Sequence, residues 1–389
     1  MTSPPGPPGR AGDVRRRFRE GSASTTSRGA VPVAFDATLW DEPITGIGLY
    51  TRELHRALVT TGLDVHRWGA RKSGEAPRGE MSRTGWTLGE LPYWLQARAP
   101  TLFHAVSNFN LPLLRTRGVP YVLTVHDLVP LLLPDTVSAR FRWQFRLWLA
   151  RSLQVAQQVI CVSETARESV LQRFDVDPRK LHVVHHGVDH VDRVAPPDAT
   201  TVKWLDALGL ESPWVLYAGA LDARKNVELV VRAVERLYDG GQKVTLVLAG
   251  QRWFGSGRIE KELLRVRERG IDVRPLGYLA DPVFYALMQR AGVFVFPSRY
   301  EGFGLPPLEA MRLGVPTIIS TEGSLPEVCG DGAWQVGPDD VGGLAQQLSS
   351  WLTRPDERAA WAARAGRRAA GFTWGEAARR TASLYADVR

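Results

Sequence analysis

The chain has 389 residues, a formal net charge of +8 and a pI near 9.7, and 44% of its residues are hydrophobic. Single hydrophobic cores tend to split beyond about 250–300 residues, so this length predicts two domains. The two cysteines, Cys161 and Cys329, lack the C-x-x-C spacing of zinc and redox sites, which favours a reducing compartment, and no run of 18 apolar residues is present to span a membrane.

The first segment differs in composition from the rest of the chain. Residues 1–30 are rich in Pro, Gly, Ser and Arg, and they lack both apolar periodicity and the continuous apolar region of a secretory signal. We therefore expect a disordered basic tail on a cytoplasmic protein. The positive charge would suit anionic partners, but an arginine-rich proteome explains it equally well.

A strand, a glycine turn and a helix follow the tail. The stretch from Val31 contains a short apolar strand, and Gly46-Ile47-Gly48 leads into residues 49–62, where apolar residues have helical spacing. Strands alternating with helices indicate a parallel doubly wound sheet, and we assign residues 31–195 to an N-terminal Rossmann-like domain. Its further strands are predicted at 102–107, 121–127, 158–163 and 181–187.

The second half repeats this alternation after a stretch of weaker pattern. Residues 196–213 contain Pro196-Pro197 and several charges, and they are predicted to be the inter-domain linker. A second Rossmann-like domain is expected at 214–372. The segment 373–389 is predicted to be a last helix, which by analogy with two-domain folds of this type crosses back to the first domain. Strands are predicted at 214–221, 243–250, 272–277, 293–298 and 316–320, and helices at 226–239, 257–269, 281–290 and from Pro306.

The segment 297–320 has the pattern of an anion-binding loop. A strand ends there, a loop turns at Gly302-Phe303-Gly304-Leu305, and a helix begins at Pro306 and Pro307, where the missing N–H groups of proline cost nothing. Free backbone N–H groups lie at the positive end of this helix, and the glycines allow a ligand to approach closely. Such a loop can bind a diphosphate.

Two carboxylates flank this loop. Glu301 stands at the strand end and Glu309 in the first helical turn, with seven residues between them. Both are placed at the crevice outside the carboxyl ends of the strands, where a carboxylate can accept hydrogen bonds from paired sugar hydroxyls. The helix dipole alone favours an acid in a first turn by about 0.3–1 kcal/mol, which would explain Glu309 but not the pair.

The segment from Glu301 to Met311 resembles the Glu-x7-Glu signature of the family 4 retaining glycosyltransferases. Gly314-Val315-Pro316 and Ser324-Leu325-Pro326-Glu327-Val328 also match that family's pattern. The resemblance implies a GT-B fold, in which two Rossmann-like domains face each other across a cleft. In such enzymes the first Glu contacts the donor sugar and the second contacts the ribose, and no metal is required.

A basic turn lies at 217–226, where a strand ends and presents Arg224 and Lys225. Two cations at a strand end can neutralise the charge that grows on a leaving diphosphate, although a solvated basic turn has the same sequence. Family members carry an Arg and a Lys here for the donor phosphates, often with the Arg directly after the strand glycine. Ala220 occupies that place in this chain, so the resemblance supports Lys225 more than Arg224.

The first domain contributes a histidine. His126 follows the apolar sequence YVLTV at a cleft-facing strand end, and Asp127 is placed to orient its imidazole. A packed structural histidine is the alternative. The family often has a His here near the donor sugar, and Gly46 and Gly48 resemble its glycine turn facing the donor phosphates. His185-His186 lack the Cys or carboxylate spacing of a metal site, so we assign no metal.

The segment 138–153 is the candidate for a membrane contact, because it carries four Arg, several aromatic residues and no acid. At 100° per residue the arginines divide into opposed pairs, so the helix has no clean cationic face. A packed helix is predicted, with a peripheral contact at the inner face of the cell membrane left open. Phe141, Phe145, Trp148 and Leu149 form one stripe, and Trp143 with Leu147 occupies another side.

The resemblance implies a retaining transfer of a hexose from a nucleotide-diphosphate sugar. The turn at 220–226 resembles that of mannosyltransferases that use GDP-mannose, and UDP- and TDP-sugars are the alternative donors. The family resemblance implies a glycan or lipid-linked sugar as the acceptor, with a small-molecule scaffold as the alternative. A GT-B phosphorylase or epimerase, and a nucleotide-sugar-binding partner subunit without turnover, are the alternatives. A nucleic-acid binder is not expected, because the basic residues are scattered and no recognition module appears.

Overall fold

The computed structural model describes residues 32–40, 46–69, 82–112, 115–211, 213–251 and 257–388. The tail predicted at residues 1–30 lies outside these ranges. Two six-stranded sheets are present, and every strand pairing in them is parallel. The prediction of two Rossmann-like α/β domains is therefore confirmed.

The first sheet is built from short strands whose side chains are mostly buried. The strands are β1 (Val33–Asp36), β2 (Val65–Trp68), β3 (Leu102–Ala105), β4 (Tyr121–Val125), β5 (Gln158–Cys161) and β6 (Leu181–Val183). Their order is β2-β1-β3-β4-β5-β6. Every residue of β4 is buried, which explains its continuous apolar sequence, because a parallel strand covered on both faces shows no alternation.

The second sheet has the strand order of a nucleotide-binding domain. The strands are β7 (Val215–Ala218), β8 (Leu246–Ala249), β9 (Val273–Gly277), β10 (Val293–Phe296), β11 (Thr317–Ser320) and β12 (Trp334–Val336). Their order is β12-β11-β10-β7-β8-β9, so the direction of winding changes between β7 and β10. Ligands of doubly wound sheets bind outside the carboxyl ends of the strands at this point.

Helices connect the strands and cover the sheets. They are α1 (Gly46–Thr60), α2 (Arg83–Gly85), α3 (Leu91–Arg98), α4 (Val129–Leu132), α5 (Ala139–Val155), α6 (Glu164–Leu171), α7 (Ala199–Ala207), α8 (Val227–Asp239), α9 (Gly257–Glu268), α10 (Asp281–Gln289), α11 (Leu305–Arg312), α12 (Leu325–Cys329), α13 (Val341–Thr353), α14 (Pro355–Ala370) and α15 (Trp374–Ala386). Ser163 and Thr373 cap α6 and α15, each accepting a backbone N–H bond from the first turn.

The structure adds detail to two sequence predictions. The segment 196–213, predicted as a linker, contains α7, which Asp198 caps and whose Trp204 and Leu205 are buried. Apolar residues at helical spacing form that helix despite the charges around them. The turn predicted at Gly46-Ile47-Gly48 is the first turn of α1, because glycine accepts helical angles as well as turn angles.

The C-terminal helix lies against the first domain. Helix α15 packs on α1, and the hydroxyl of Tyr385 lies 2.6 Å from Nδ1 of His104. Nε2 of His104 and the hydroxyl of Tyr50 both lie within hydrogen-bond distance of Oγ1 of Thr124, at 2.8 and 2.9 Å. A buried polar network therefore joins the end of the chain to the first sheet.

Helix α5 packs on the first domain through one side. Phe145 and Leu149 are buried, whereas Trp143 is 64% exposed and Leu147 is 50% exposed. Phe141 is exposed as well, so the predicted stripe is only partly packed. In the part of the chain that the structure describes, no helix combines the length and the apolar character needed to cross a membrane.

Candidate active site at the domain interface

A cavity of about 830 Å³ takes its walls from both domains. The carboxyl ends of β7 and β8 form one side, and α1 forms another, so the cavity opens at the switch point of the second sheet. Of the predicted site residues, Gly46, Arg224, Leu305 and Glu309 line it. The remaining ones, all within the described ranges, lie outside this lining.

Two helix N-termini meet at this cavity. Helix α1 begins at Gly46 and α11 begins at Leu305, and a Cβ atom at Gly46 would lie only 3.8 Å from Cδ1 of Leu305. Each N-terminus carries about half a positive charge, although Pro306 and Pro307 contribute no N–H groups to the first turn of α11. Because the helices belong to different domains, their shared positive field exists only when the domains are together.

The loop before α11 touches the first domain directly. A Cβ atom at Gly302 would lie 1.9 Å from the carbonyl oxygen of His126 and 2.9 Å from Cβ of Asp127. The hydroxyl of Ser163 donates a hydrogen bond of 2.6 Å to the carbonyl of Gly302. Glycine is therefore needed at position 302 for close approach between domains.

The other loop residues are fixed by packing. Gly304 has a φ of +94°, and a Cβ atom there would lie 2.5 Å from Cδ2 of Leu325, so a side chain meets both strain and a clash. The ring of Phe303 lies edge-on to His186 at 4.5 Å. Gly48 is buried within α1. These residues shape the loop and the domain contact rather than the cavity wall.

Glu301 forms salt bridges with both predicted cations, Arg224 and Lys225. Its Oε1 lies 2.8 Å from Nη1 of Arg224, 2.7 Å from Nζ of Lys225 and 2.5 Å from the hydroxyl of Ser298. Burial acts to raise the pKa of Glu301, but Lys225 and Arg224 overcome it and keep the pKa below its ordinary value. Asp222 adds a second carboxylate, 3.8 Å from Nη2 of Arg224, so two cations face two carboxylates, and Arg224 and Asp222 bring the cluster to the cavity wall.

Glu309 is buried at the opposite end of the Glu-x7-Glu segment. Its Oε1 accepts a hydrogen bond of 3.1 Å from the hydroxyl of Tyr285 and lies 3.0 Å from Nε2 of His190. Burial, followed by the charge of Glu309, raises the pKa of Tyr285 far above its ordinary range, so this hydroxyl stays a donor. Glu309 is therefore a rigidly held acceptor on the cavity wall.

His126 is a packed, neutral histidine at the domain contact. Its Nε2 donates to the carbonyl of Val106 at 2.8 Å, its ring lies edge-on to Tyr50 at 4.7 Å, and burial lowers its pKa to about 4. The prediction that Asp127 orients the imidazole is wrong. Oδ1 of Asp127 accepts from the backbone N–H of Val129 instead, because successive side chains at a strand end point to opposite sides.

Glu327 joins the domains at a second point. Its Oε1 accepts 2.8 Å bonds from the backbone N–H of Glu164 and from Nε2 of His185, and its Oε2 accepts a 3.1 Å bond from the N–H of Thr165. Burial acts to raise the pKa of Glu327, but these donors keep it below its ordinary value. A carboxylate of the second domain thus caps α6 of the first.

Sequence reasoning missed several residues at the cavity. Tyr285 and Asp281 of α10 line it, and His190 contacts Glu309 from the short 3-10 helix Asp189–Arg193. None of them belongs to a motif with fixed spacing, so no sequence signal marks them. Among the described residues, no group of three or more His, Cys, Asp or Glu side chains is arranged to hold a metal ion.

Comparison with known proteins identifies the family. A model described as glycosyl transferases group 1 matches residues 203–368, and one described as glycosyltransferase family 4 matches residues 44–192. The O-antigen chain mannosyltransferase B of Escherichia coli is 30% identical over 285 residues, which are 72% of each chain. The serotype-specific mannosyltransferase WbdA of Escherichia coli is 30% identical over 270 residues, and the match spans 67% of this chain but 33% of that one.

A solved structure gives the same picture of the fold. Sucrose-phosphate synthase from Thermosynechococcus elongatus superposes with a TM-score of 0.71 and 21% identity, over 92% of this chain and 99% of that one. The family models together follow both domains, and the curated relative covers most of the chain. The chain therefore belongs to the group 1, family 4 glycosyltransferases of GT-B fold, and it is a glycosyltransferase.

Proposed function

We propose that this glycosyltransferase is a retaining enzyme that moves a mannosyl residue from GDP-mannose to a glycan or lipid-linked acceptor. The proposal rests on one observation: the N-termini of α1 and α11 meet at a cavity that Arg224 and Glu309 also line. Two positive helix ends and a guanidinium suit a diphosphate, and a buried carboxylate suits ribose hydroxyls. Similarity to the Escherichia coli O-antigen chain mannosyltransferase B supports mannose as the sugar.

The chemistry proposed is a front-face substitution. The bond between the sugar's anomeric carbon and the diphosphate oxygen breaks, the acceptor oxygen attacks on the same face, and its proton passes to the departing diphosphate. Arg224, Lys225 and the helix N-termini stabilise the charge that develops on that diphosphate, a demand that fixed donors in a closed site meet well. The mechanism uses protein cations for this purpose and calls for no metal ion.

Asp281 supports guanine as the base. It begins α10 and lines the cavity with Glu309, and burial, with an added effect of the Glu309 charge, raises its pKa. A guanine edge presents two adjacent N–H donors, which a carboxylate accepts as a pair. Uracil and thymine present one ring N–H between two carbonyl oxygens, so they fit a carboxylate less well.

The outward side of α5 supports a lipid-borne acceptor. Trp143 and Leu147 are one helical turn apart and exposed, and Tyr93 of α3 is also 64% exposed. The four arginines of α5 are accompanied by no acid within the helix. Exposed aromatic side chains with neighbouring Arg suit the headgroup region of an anionic membrane, and we place the peripheral contact here.

Nucleotide binding tests the donor site. A thermal-shift screen against GDP, UDP, TDP and ADP in EDTA should show selective stabilisation by GDP, because a ligand of the native state adds about 2.7 kcal/mol at 100 times its Kd. Glu309→Ala should lose most of this response, and Asp281→Asn should lose the preference for GDP. A response to none of the four would refute the donor site and support the non-catalytic partner.

Product analysis separates the remaining functions. Incubation with GDP-mannose and short mannose oligosaccharides should release GDP and form a new bond with the anomeric configuration of the donor, as read by NMR. A requirement for inorganic phosphate would instead show a phosphorylase. Conversion of the donor without any acceptor would show an epimerase, and an inverted bond would refute the retaining mechanism.

Vesicle binding tests the membrane contact. The protein should cosediment with phosphatidylglycerol vesicles more than with phosphatidylcholine vesicles, and added salt should weaken this binding. The double variant Trp143→Ser, Leu147→Ser should lose it. Leu264→Ser, which alters a 58% exposed leucine of α9 in the other domain, is the matched control and should bind as the wild type does. Equal binding to both vesicle types would contradict the proposal.

A further inference from the structure

A chain of three side chains leads from the C-terminal helix to Glu309. The indole Nε1 of Trp374, at the start of α15, donates to Nδ1 of His190 at 3.2 Å. The other ring nitrogen of His190, Nε2, lies 3.0 Å from Oε1 of Glu309. All three side chains are buried, with exposures of 2%, 6% and 4% for Trp374, His190 and Glu309.

The donor-only character of indole fixes the tautomer of His190. Because Nδ1 accepts the indole N–H, the proton of the neutral ring is on Nε2, from which it is donated to Glu309. The hydroxyl of Tyr285 donates to the same oxygen. Oε1 of Glu309 thus accepts the hydrogen bonds from described residues. Its Oε2 atom is left to bind a ligand in the cavity.

Trp374 is itself held in place. Its backbone N–H donates to Oδ1 of Asp189 at 2.7 Å, and its ring stacks on His186 with an interplanar angle of 27°. Thr373 caps the helix that it begins. The indole therefore has a fixed position, and through it the imidazole of His190 has one as well.

We infer that His190 is a positioning residue for Glu309, and that Trp374 sets the tautomer in which His190 acts. The inference rests on the proposed function, in which Glu309 accepts hydrogen bonds from the donor ribose. His190 and Trp374 belong to segments that pack with the first domain, whereas Glu309 belongs to the second. Recognition of the ribose is therefore coupled to the contact between the domains.

The coupling between His190 and the ribose hydroxyls can be measured by calorimetry. The dissociation constants of GDP and 2′,3′-dideoxy-GDP, and of UDP and 2′,3′-dideoxy-UDP, are measured in separate titrations of the wild type and of each variant. The wild type should bind the hydroxylated form of its preferred nucleotide at least about 10-fold more tightly than the dideoxy form. In His190→Leu the ratio of the two affinities, that of the hydroxylated form over that of the dideoxy form, should fall towards one. Binding of the dideoxy form should change little.

Two further variants separate positioning from folding. His190→Gln, whose amide can donate to Glu309, should recover most of the ratio. Trp374→Phe removes the indole N–H together with the five-membered ring, and it should reduce the ratio by about 5-fold, because a hydrogen bond of this kind contributes about 1 kcal/mol. Trp351→Phe is the matched control: Trp351 is a buried tryptophan of α13 outside the cavity lining, and the ratio should stay at the wild-type value.

The outcomes distinguish the inference from the function on which it rests. If the wild type binds no nucleoside diphosphate, or does not discriminate against the dideoxy form, the donor site itself fails. If the wild type discriminates and a folded His190→Leu protein keeps the full ratio, Glu309 does not need His190 and the inference is overturned. A ratio that falls towards one in His190→Leu and recovers in His190→Gln supports the inference.

Discussion

Gly302→Ala should reduce transferase activity by about 100-fold or more. The new Cβ atom would lie 1.9 Å from the carbonyl oxygen of His126, so the loop and the first domain must separate. Separation would pull the N-terminus of α11 away from that of α1, which together form the proposed diphosphate site. A displacement of about 1 Å can cost a factor of about 100 in rate.

Activity and shape together check this prediction. GDP release from GDP-mannose gives the rate, and small-angle X-ray scattering should show a larger radius of gyration for the variant. Gly89→Ala is the matched control, because a Cβ atom at Gly89 would meet no described atom within 4 Å. Full activity of Gly302→Ala would show that catalysis does not need this domain contact.

Lys225→Met should lower kcat by about 100- to 1000-fold, the usual loss when one donor to a developing oxyanion is removed. The ammonium of Lys225 lies 2.7 Å from Glu301, and both side chains are largely buried, at 12% and 13% exposure. The pKa of Lys225 is lowered by burial, which Glu301 opposes, so the charged form depends on this pairing. Methionine keeps the length of the side chain and removes the charge.

The effect on chemistry must be separated from an effect on stability. Removing one partner of a buried pair typically destabilises by about 3–5 kcal/mol, but Arg224 still bonds Glu301 in this variant. The unfolding midpoint and the GDP response should therefore be recorded with the rate. Arg290→Met, which breaks an exposed pair with Asp206, is the control and should keep kcat. An unchanged kcat in Lys225→Met would assign the leaving-group charge to Arg224 and the helix N-termini.

The contacts between domains explain why both predictions are large. Gly302 meets His126, and Glu327 caps α6. These contacts hold the two domains together beside the cavity. Donors in a closed site act at lower effective dielectric than in water, so each lost charge or contact has a greater effect on the transition state.

The sequence determined the class of fold and the place of the candidate site. Continuous apolar strands such as Tyr121–Val125 and helices of regular period follow from local burial patterns, so strand and helix positions were predictable. Loops at the carboxyl ends of β7 and β10 also follow from chain order, which places Arg224, Lys225 and Glu301 at one edge. Edge strands β2 and β12 escaped prediction because they are short and partly polar.

Only the tertiary structure decided which side chains act together. Glu301 and Lys225 are distant in sequence but 2.7 Å apart, and no local pattern could show that Asp127 turns away from His126 towards Val129. The contact of His190 with Glu309 depends on how two domains meet. Contacts of this kind depend on how the sheets and helices of the two domains pack together. That packing produces no periodic pattern in the sequence, so it could not be predicted from the sequence.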